Sequence, residues 1–225
     1  MSVLLIRLAG PMQSWGTQSR FSHRDTGLEP SKSGIVGILG AALGIARHDQ
    51  ASIAKLAALR LAVRIDRPGS MYRDYHTAMD VRKADGSKPP EGQAVLSDRY
   101  YLADAEFLVG IEGERGFLEE IDAALREPIW PVFLGRKSFV PSKPLFLDNG
   151  IREGELLEVM GSIPVEESTR KSSTPEPGAF RLVYDVAYGK GDPRQDVPLS
   201  FEPRRFGIRH VDWKFVHPPL EEVTS

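Results

Sequence analysis

The stretch that decides the fold is LRLAVRID, residues 59–66, in which Leu59, Leu61, Val63 and Ile65 alternate with Arg60, Ala62, Arg64 and Asp66. Apolar residues two apart lie on one side of an extended chain, so this period marks a β-strand. Working outward, Val3–Leu8 is a short run of β-type residues and reads as a buried strand. Between the two, Pro30-Ser31-Lys32-Ser33 opens a helical pattern, with a serine able to cap and a proline suited to a first turn. Ile35, Val36, Ile38, Leu39, Ala42 and Leu43 form the apolar face of that helix. Gly34, Gly37, Gly40 and Gly44 recur within it. Each costs up to about 1 kcal/mol of helix propensity, so close packing against a neighbouring backbone is expected to compensate.

Downstream, Ala105–Ile111 is a further strand, and Phe117, Leu118, Ile121, Ala124 and Leu125 mark an amphipathic helix ended by Pro128. An extended segment follows near Lys143–Leu147. The order strand, helix, strand, strand, helix, strand predicts an α+β chain with a ferredoxin-like, RRM-like core over residues 1–147. The fold by itself assigns no function.

One spacing is unusual for that arrangement. The second and third strands are normally joined by about two to five residues, whereas residues 68–103 separate them here. The insert leaves through PGSMYRDYHTAMDVRKADG and returns through QAVLSDRYYLAD, with Tyr72, Tyr75, Tyr100 and Tyr101 on its two arms. This predicts a projecting β-hairpin whose aromatics stack on or wedge between bases; the alternative is a surface loop. From Asp148 to Ser225 the chain reads as a small β-rich part, with strands at Glu155–Met160, Arg181–Ala187 and Phe206–Val216 and loops at SSTPEPG and YGKGDPRQD.

Composition bounds the chemistry. The 225 residues are 41% hydrophobic and contain no cysteine, which removes disulfides, thiolate nucleophiles and cysteine zinc sites. The N-terminal MSVLLIRLAG lacks the basic and apolar regions of a signal peptide, and no run approaches the roughly 20 apolar residues of a membrane span. A soluble, cytoplasmic protein without membrane partners is therefore expected. The net charge is only −2, but its distribution is uneven. Asp104, Glu106, Glu112, Glu114, Glu119, Glu120, Asp122 and Glu127 crowd one segment. Arg7, Arg20 and Arg24, then Arg136, Lys137 and Lys143, then Arg204, Arg205, Arg209 and Lys214 make basic windows. Either these are solvated surface charges or they form a basic face, and a local basic face steers a polyanion whatever the total.

Phosphate-loop, dinucleotide, metalloprotease and nucleophile-elbow motifs are all absent from the sequence. His23 with Asp25 and Asp74 with His76 are close in sequence, but such pairs arise by chance. No catalytic residue, metal site or cofactor is expected. One rival remains: RNA can be cut without metal by Tyr, Lys and His side chains, for which Tyr72, Tyr75, His76 and Lys137 are the candidates.

Three stretches together resemble one family: IRLAGPMQSWGTQSRFSHRDTGLEPSKSGIVGILGAALGI (6–45), PVFLGRKSFVPSKPLF (131–146) and DVPLSFEPRRFGIRHV (196–211). They are similar to the Cas-five family of CRISPR–Cas immunity in its E-subtype Cascade form, over essentially the whole chain. The resemblance implies an RRM-like core with a thumb-like hairpin inserted into it and a smaller C-terminal part. It implies binding of the 5′ handle of the CRISPR RNA, capping of the CasC backbone, and seating of CasA. Target DNA is then met only through the complex. The insert found by counting falls where the family has its thumb.

Carried over residue by residue, the implied RNA-facing positions in the first loop are Gln13, Ser14, Trp15, Gln18, Arg20 and Arg24, with Lys32 and Ser33 at a helix start suited to phosphate. Trp15 reads equally as core packing. Gly135, Arg136, Lys137 and Ser138 form a second loop, and Arg204, Arg205 and Arg209 a third, the first two of these also suited to a protein contact. Arg73, Tyr75, His76 and Arg82 lie in the insert. C-subtype relatives process precursor RNA without metal, whereas E-subtype processing resembles the task of a separate subunit, CasE, so no activity is implied.

Overall fold

A computed structural model describes residues 1–16, 22–82, 86–87, 90, 92–165 and 178–220. Its element order is β1 (Ser2–Ala9), β2 (Met12–Gln13), β3 (His23–Arg24), α1 (Lys32–Ala42), α2 (Gln50–Ala57), β4 (Arg60–Arg67), β5 (Ser70–Met79) and β6 (Ala94–Ala103). There follow β7 (Glu106–Gly113), α3 (Arg115–Arg126), β8 (Phe146–Glu153), α4 (Leu156–Ser162), β9 (Phe180–Val186), β10 (Asp192–Phe201) and β11 (Arg204–Val216). The chain is α+β, dominated by a seven-stranded sheet in the order β10-β11-β9-β4-β7-β1-β8.

Both faces of the sheet's centre are covered, so its strands are buried throughout rather than half-buried. β4 shows why alternation alone is an incomplete guide. Leu61, Val63 and Ile65 enter the larger core beneath α1, α2 and α3, while Ala62 enters a second core beneath α4. Arg64, on that second side, is 1% exposed. It donates to Asp66 and to the carbonyls of Met160 (2.8 Å) and Ile163 (2.6 Å). A buried guanidinium thus satisfies carbonyls that the end of α4 leaves open. The segment expected as a strand at Glu155–Met160 is this helix α4. Leu156, Val159 and Met160 are buried at helical spacing, a short apolar pattern that fits either element on paper.

Ser31 caps α1 by accepting from the Gly34 amide at 3.2 Å; Pro30 stands just before the cap. Of the α1 glycines, only Gly34 is tightly packed, and against a side chain: a Cβ there would lie 2.8 Å from the Trp15 ring. Gly44 follows the C-cap residue Leu43 with φ +69 and so ends the helix. Gly37 is exposed, and open space surrounds the place a Cβ would take, so nothing in the structure explains it. Asp49 caps α2, an element without a marked signal in the sequence, through the Ser52 amide.

The long insert is a hairpin. β5 and β6 pair antiparallel over ten positions, from Ser70 with Ala103 to Met79 with Ala94. Along its other edge β6 pairs with β2 and with β3, so the hairpin is sewn to the first loop at its base. The extended segment expected at Lys143–Leu147 begins at Phe146 and runs to Glu153 as β8. The segment YGKGDPRQD, expected as a loop, is largely strand β10. Its Pro193 and Pro198 are tolerated because β10 is the sheet's outermost strand and its register slips twice. β9, β10 and β11 extend the same sheet from β4, and β8 crosses the division placed at residue 147. Most of SSTPEPG lies outside the described residues.

Candidate nucleic-acid interface

Three stretches far apart in sequence meet at the base of the hairpin. Ser14 anchors the first: its amide donates to Leu134 O at 3.0 Å and its hydroxyl lies 3.3 Å from Tyr100 O. Gly135 is the second. With φ +97, it brings its backbone so close that a Cβ there would lie 1.8 Å from Ser14 O; only glycine fits. Arg136, next in line, donates to the carbonyls of Tyr100 (2.8 Å) and Arg24 (3.3 Å), tying loop, hairpin and β3 together. Its guanidinium also sits over Phe139, 5.3 Å from the ring centre.

The cluster is cationic. Partial burial and the neighbouring Arg99 and Arg24 hold the Arg136 guanidinium below its ordinary value, against the opposing pull of Asp74 and Asp25. Like charges gathered in this way favour an incoming anion. Aromatic rings surround them: His23 stands 5.1 Å from Tyr100, Tyr72 stacks on Tyr101 at 6.0 Å, and Tyr101 lies 5.9 Å from Phe139. The sequence alone does not single out Arg99. Its one signal is its place in the period of the returning arm, opposite Asp74 in register.

The pairing register sorts the hairpin residues by face. Tyr72, Asp74 and His76 share one face with Tyr101 and Arg99, while Arg73 and Tyr75 share the other with Tyr100 and Asp98. Tyr72 and Tyr75, both more than half exposed, therefore point to opposite sides. His76 Nδ1 is 3.9 Å from Asp74, and Arg73 is 3.7 Å from Asp98. Arg82 is exposed beyond the end of β5, and Lys137 and Ser138 are exposed beside Arg136. Gln18 and Arg20 lie outside the described residues.

Several expected RNA contacts are instead internal. Gln13 is fully buried and donates to Leu8 O (3.1 Å) and Ala105 O (2.7 Å), closing the first loop onto the core. Trp15 is 1% exposed beneath α1, which settles its two readings in favour of packing. Lys32 and Arg209 belong to a buried ionic network. Lys32 Nζ donates to Asp185 at 3.0 Å, Arg209 bonds both Asp185 and Asp196, and Asp196 accepts the Lys32 amide at 2.8 Å. The amide expected to meet a phosphate at the helix start already holds a carboxylate. Ser33 is half-buried, with its hydroxyl 3.3 Å from that of Ser31. Arg7 and Lys143 from the basic windows lie 3.7 and 3.3 Å from Glu106. Arg204 and Arg205 are exposed at the β10–β11 turn.

Among the described residues no helix is long and apolar enough to cross a membrane. The hairpin and the seven-stranded sheet define a protein of the mixed α+β class. The chain belongs to the CRISPR-associated protein family Cas_Cas5, whose family model matches residues 3–212. It is 37% identical over 158 residues to the CRISPR system Cascade subunit CasD of Escherichia coli (strain K12), covering 65% of this chain and 70% of that protein. A crystal structure of a Cas protein matches with TM-score 0.75 and 40% identity over 97% of this chain and 98% of the other. A chain of a CRISPR RNA-guided surveillance complex matches with TM-score 0.79 and 34% identity over 96% and 91%.

Two outcomes test this geometry. Gly135→Ala is expected to destabilise the protein by about 2–4 kcal/mol in urea unfolding. Gly189→Ala, at φ +81 but with open space around it, should cost about 1–2 kcal/mol; equal costs would deny the Ser14 contact its role. For the network, burial alone would raise the Asp196 carboxyl, but Arg209 and the Lys32 amide outweigh it and hold it below the ordinary value. A lowered carboxyl contributes stability above its unfolded value of about 4 and loses it as pH falls further. Asp196→Asn should therefore cost about 3–5 kcal/mol at pH 7. The gap to the native protein should narrow between about pH 5 and pH 2, and a pH-independent gap would contradict the assignment.

Proposed function

We propose that this chain is a non-catalytic, RNA-binding subunit of a type I-E Cascade surveillance complex, acting in the cytoplasm. It binds the 5′ handle of the CRISPR RNA, caps the CasC backbone and seats CasA, meeting target DNA only through the assembly. The observation that carries this reading is the meeting of Arg24, Arg99 and Arg136 with stacked aromatics at the base of a ten-pair hairpin. Cations there neutralise phosphates while the rings stack on bases, the combination that single-stranded RNA requires.

The strand order β8-β1-β7-β4 within the sheet supports a ferredoxin-like core, and the hairpin leaving between β4 and β7 supports the thumb. On this reading residues 1–147 supply the RNA surface and residues 148–225 brace it. Arg24, Arg73, Tyr75, His76, Arg82, Arg136, Lys137 and Ser138 face RNA, with Gly135 and Ser14 shaping their loop. Arg204 and Arg205 serve the same RNA or the adjoining subunit. Against an endoribonuclease stands the register: Tyr72 and His76 lie on one face of the hairpin and Tyr75 on the other, so the candidate residues do not converge on one bond.

Purified protein incubated with end-labelled repeat RNA in EDTA should shift the RNA on a native gel and leave its length unchanged on a denaturing one. Affinity should fall with salt at about −0.7 in log–log slope for each phosphate contacted. Replacing Arg136 and Lys137 together by Ala should flatten that slope by about one to two contacts. A discrete product that vanishes in His76→Ala would make the protein a processing nuclease.

A further inference from the structure

Three strands of eight or ten residues, β5, β8 and β10, stand at sheet edges, and the chain treats them differently. β10 carries Pro193 and Pro198, and its pairing with β11 shifts register twice. β8 shifts register against β1, and Asn149 within it takes φ +51. Prolines and irregularities of this kind stop a further strand from adding to an edge. β5 has neither. Its sequence, SMYRDYHTAM, contains no proline and no lysine, and its ten pairs with β6 run without a register shift. Among the described residues β5 pairs with β6 alone, so its other side has no partner strand. Met71, Tyr72, Tyr75 and Met79 are each exposed along it. A long, regular edge with apolar side chains is a template for another strand.

This strand is also complementary to itself. When two antiparallel copies are related by a two-fold axis, facing residues lie on the same side of the sheet, so their numbers differ by an even count. Centred on Tyr75, β5 sets Tyr75 against Tyr75, Asp74 against His76, Arg73 against Thr77, Tyr72 against Ala78 and Met71 against Met79. A carboxylate meets an imidazole, methionine meets methionine, and no like charges are opposed. Arg73, facing a threonine, keeps Asp98 of its own hairpin 3.7 Å away. The neighbouring registers are worse. Centring on Asp74 opposes two carboxylates, and centring on Arg73 opposes two guanidiniums. Centring on His76 opposes two imidazoles and leaves Met71 and Tyr72 without partners in the strand.

We infer that the free chain pairs with a second copy of itself through β5, forming a two-fold dimer in which the two hairpins make one continuous sheet. Ten residues of strand span about 33 Å, so the globular parts of the two copies sit at opposite ends of the shared ribbon. Pairing closes the one long edge that the sequence leaves unguarded. The inference goes beyond the RNA-binding function and does not depend on it.

Because the chain contains no cysteine, single cysteines report the register directly. Tyr75→Cys brings the two new thiols across the axis on Cα atoms about 4.5–5.5 Å apart, within disulfide reach. Thr77→Cys, on the same face, sets them four residues apart along the strands, about 13 Å and out of reach. On mild oxidation of the full-length protein with diamide, Tyr75→Cys should give a disulfide-linked dimer and Thr77→Cys should not. In sedimentation equilibrium at rising concentration the native chain should dimerise. Met79→Lys should weaken that dimer about tenfold. Adding Met71→Glu to the same chain should restore it, since each lysine then faces a glutamate. A native chain that stays monomeric throughout overturns the inference. So does a dimer that Met79→Lys leaves intact, or one in which Thr77→Cys crosslinks as readily as Tyr75→Cys.

Discussion

Four charged side chains, Lys32, Asp185, Asp196 and Arg209, meet in the interior and join the start of α1 to three strands from the far end of the chain. Burying such groups is costly unless every charge is met, and here Arg209 reaches both carboxylates while Asp196 also takes a backbone amide. Burial alone would favour the neutral form of Arg209, yet Asp196 and Asp185 outweigh it and raise the guanidinium above its ordinary value. The consequence is geometric. The β10–β11 ribbon can lie in one place only relative to α1 and the first loop. The positions of Trp15 and Glu29 follow from that.

The hairpin base depends on a second constraint of the same kind. Gly135 lets its loop touch Ser14 O, Arg136 then reaches two carbonyls on other segments, and β6 pairs with β2 and β3. These contacts set the direction in which the hairpin leaves the sheet, and they keep Arg24, Arg99 and Arg136 together despite mutual repulsion. A rigid base under an exposed arm suits a surface that orders a flexible polyanion.

Much of the fold was legible because its signals were local. The Ser31 cap, the apolar face of α1, the alternation in β4 and the two arms of the hairpin each lie within about a dozen residues. What escaped depended on distant partners. The basic window around Arg209 counted its charge, but Asp185 and Asp196, which match it, lie outside that window, and Lys32 at the start of α1 is matched by the same distant Asp185. Arg64 has the pattern of the exposed half of an alternating strand because the helix covering it, α4, lies about 90 residues later and itself reads as a strand. β10 was hidden by prolines that only an outermost strand tolerates. Of the candidate site, Gly135, Arg136 and the hairpin aromatics were legible by residue type. The internal roles of Gln13 and Trp15 were not, since a loop rich in polar residues gives no sign of which ones turn inward.

The most direct measurement is ultraviolet crosslinking of the protein to its handle RNA, followed by mass-spectrometric mapping of the crosslinked residues. Crosslinks are predicted at the hairpin base and its arms, at Tyr72, Tyr75, His76, Arg24 and Lys137. Crosslinks confined to the acidic surface of α3, around Glu119 and Glu120, would contradict the account.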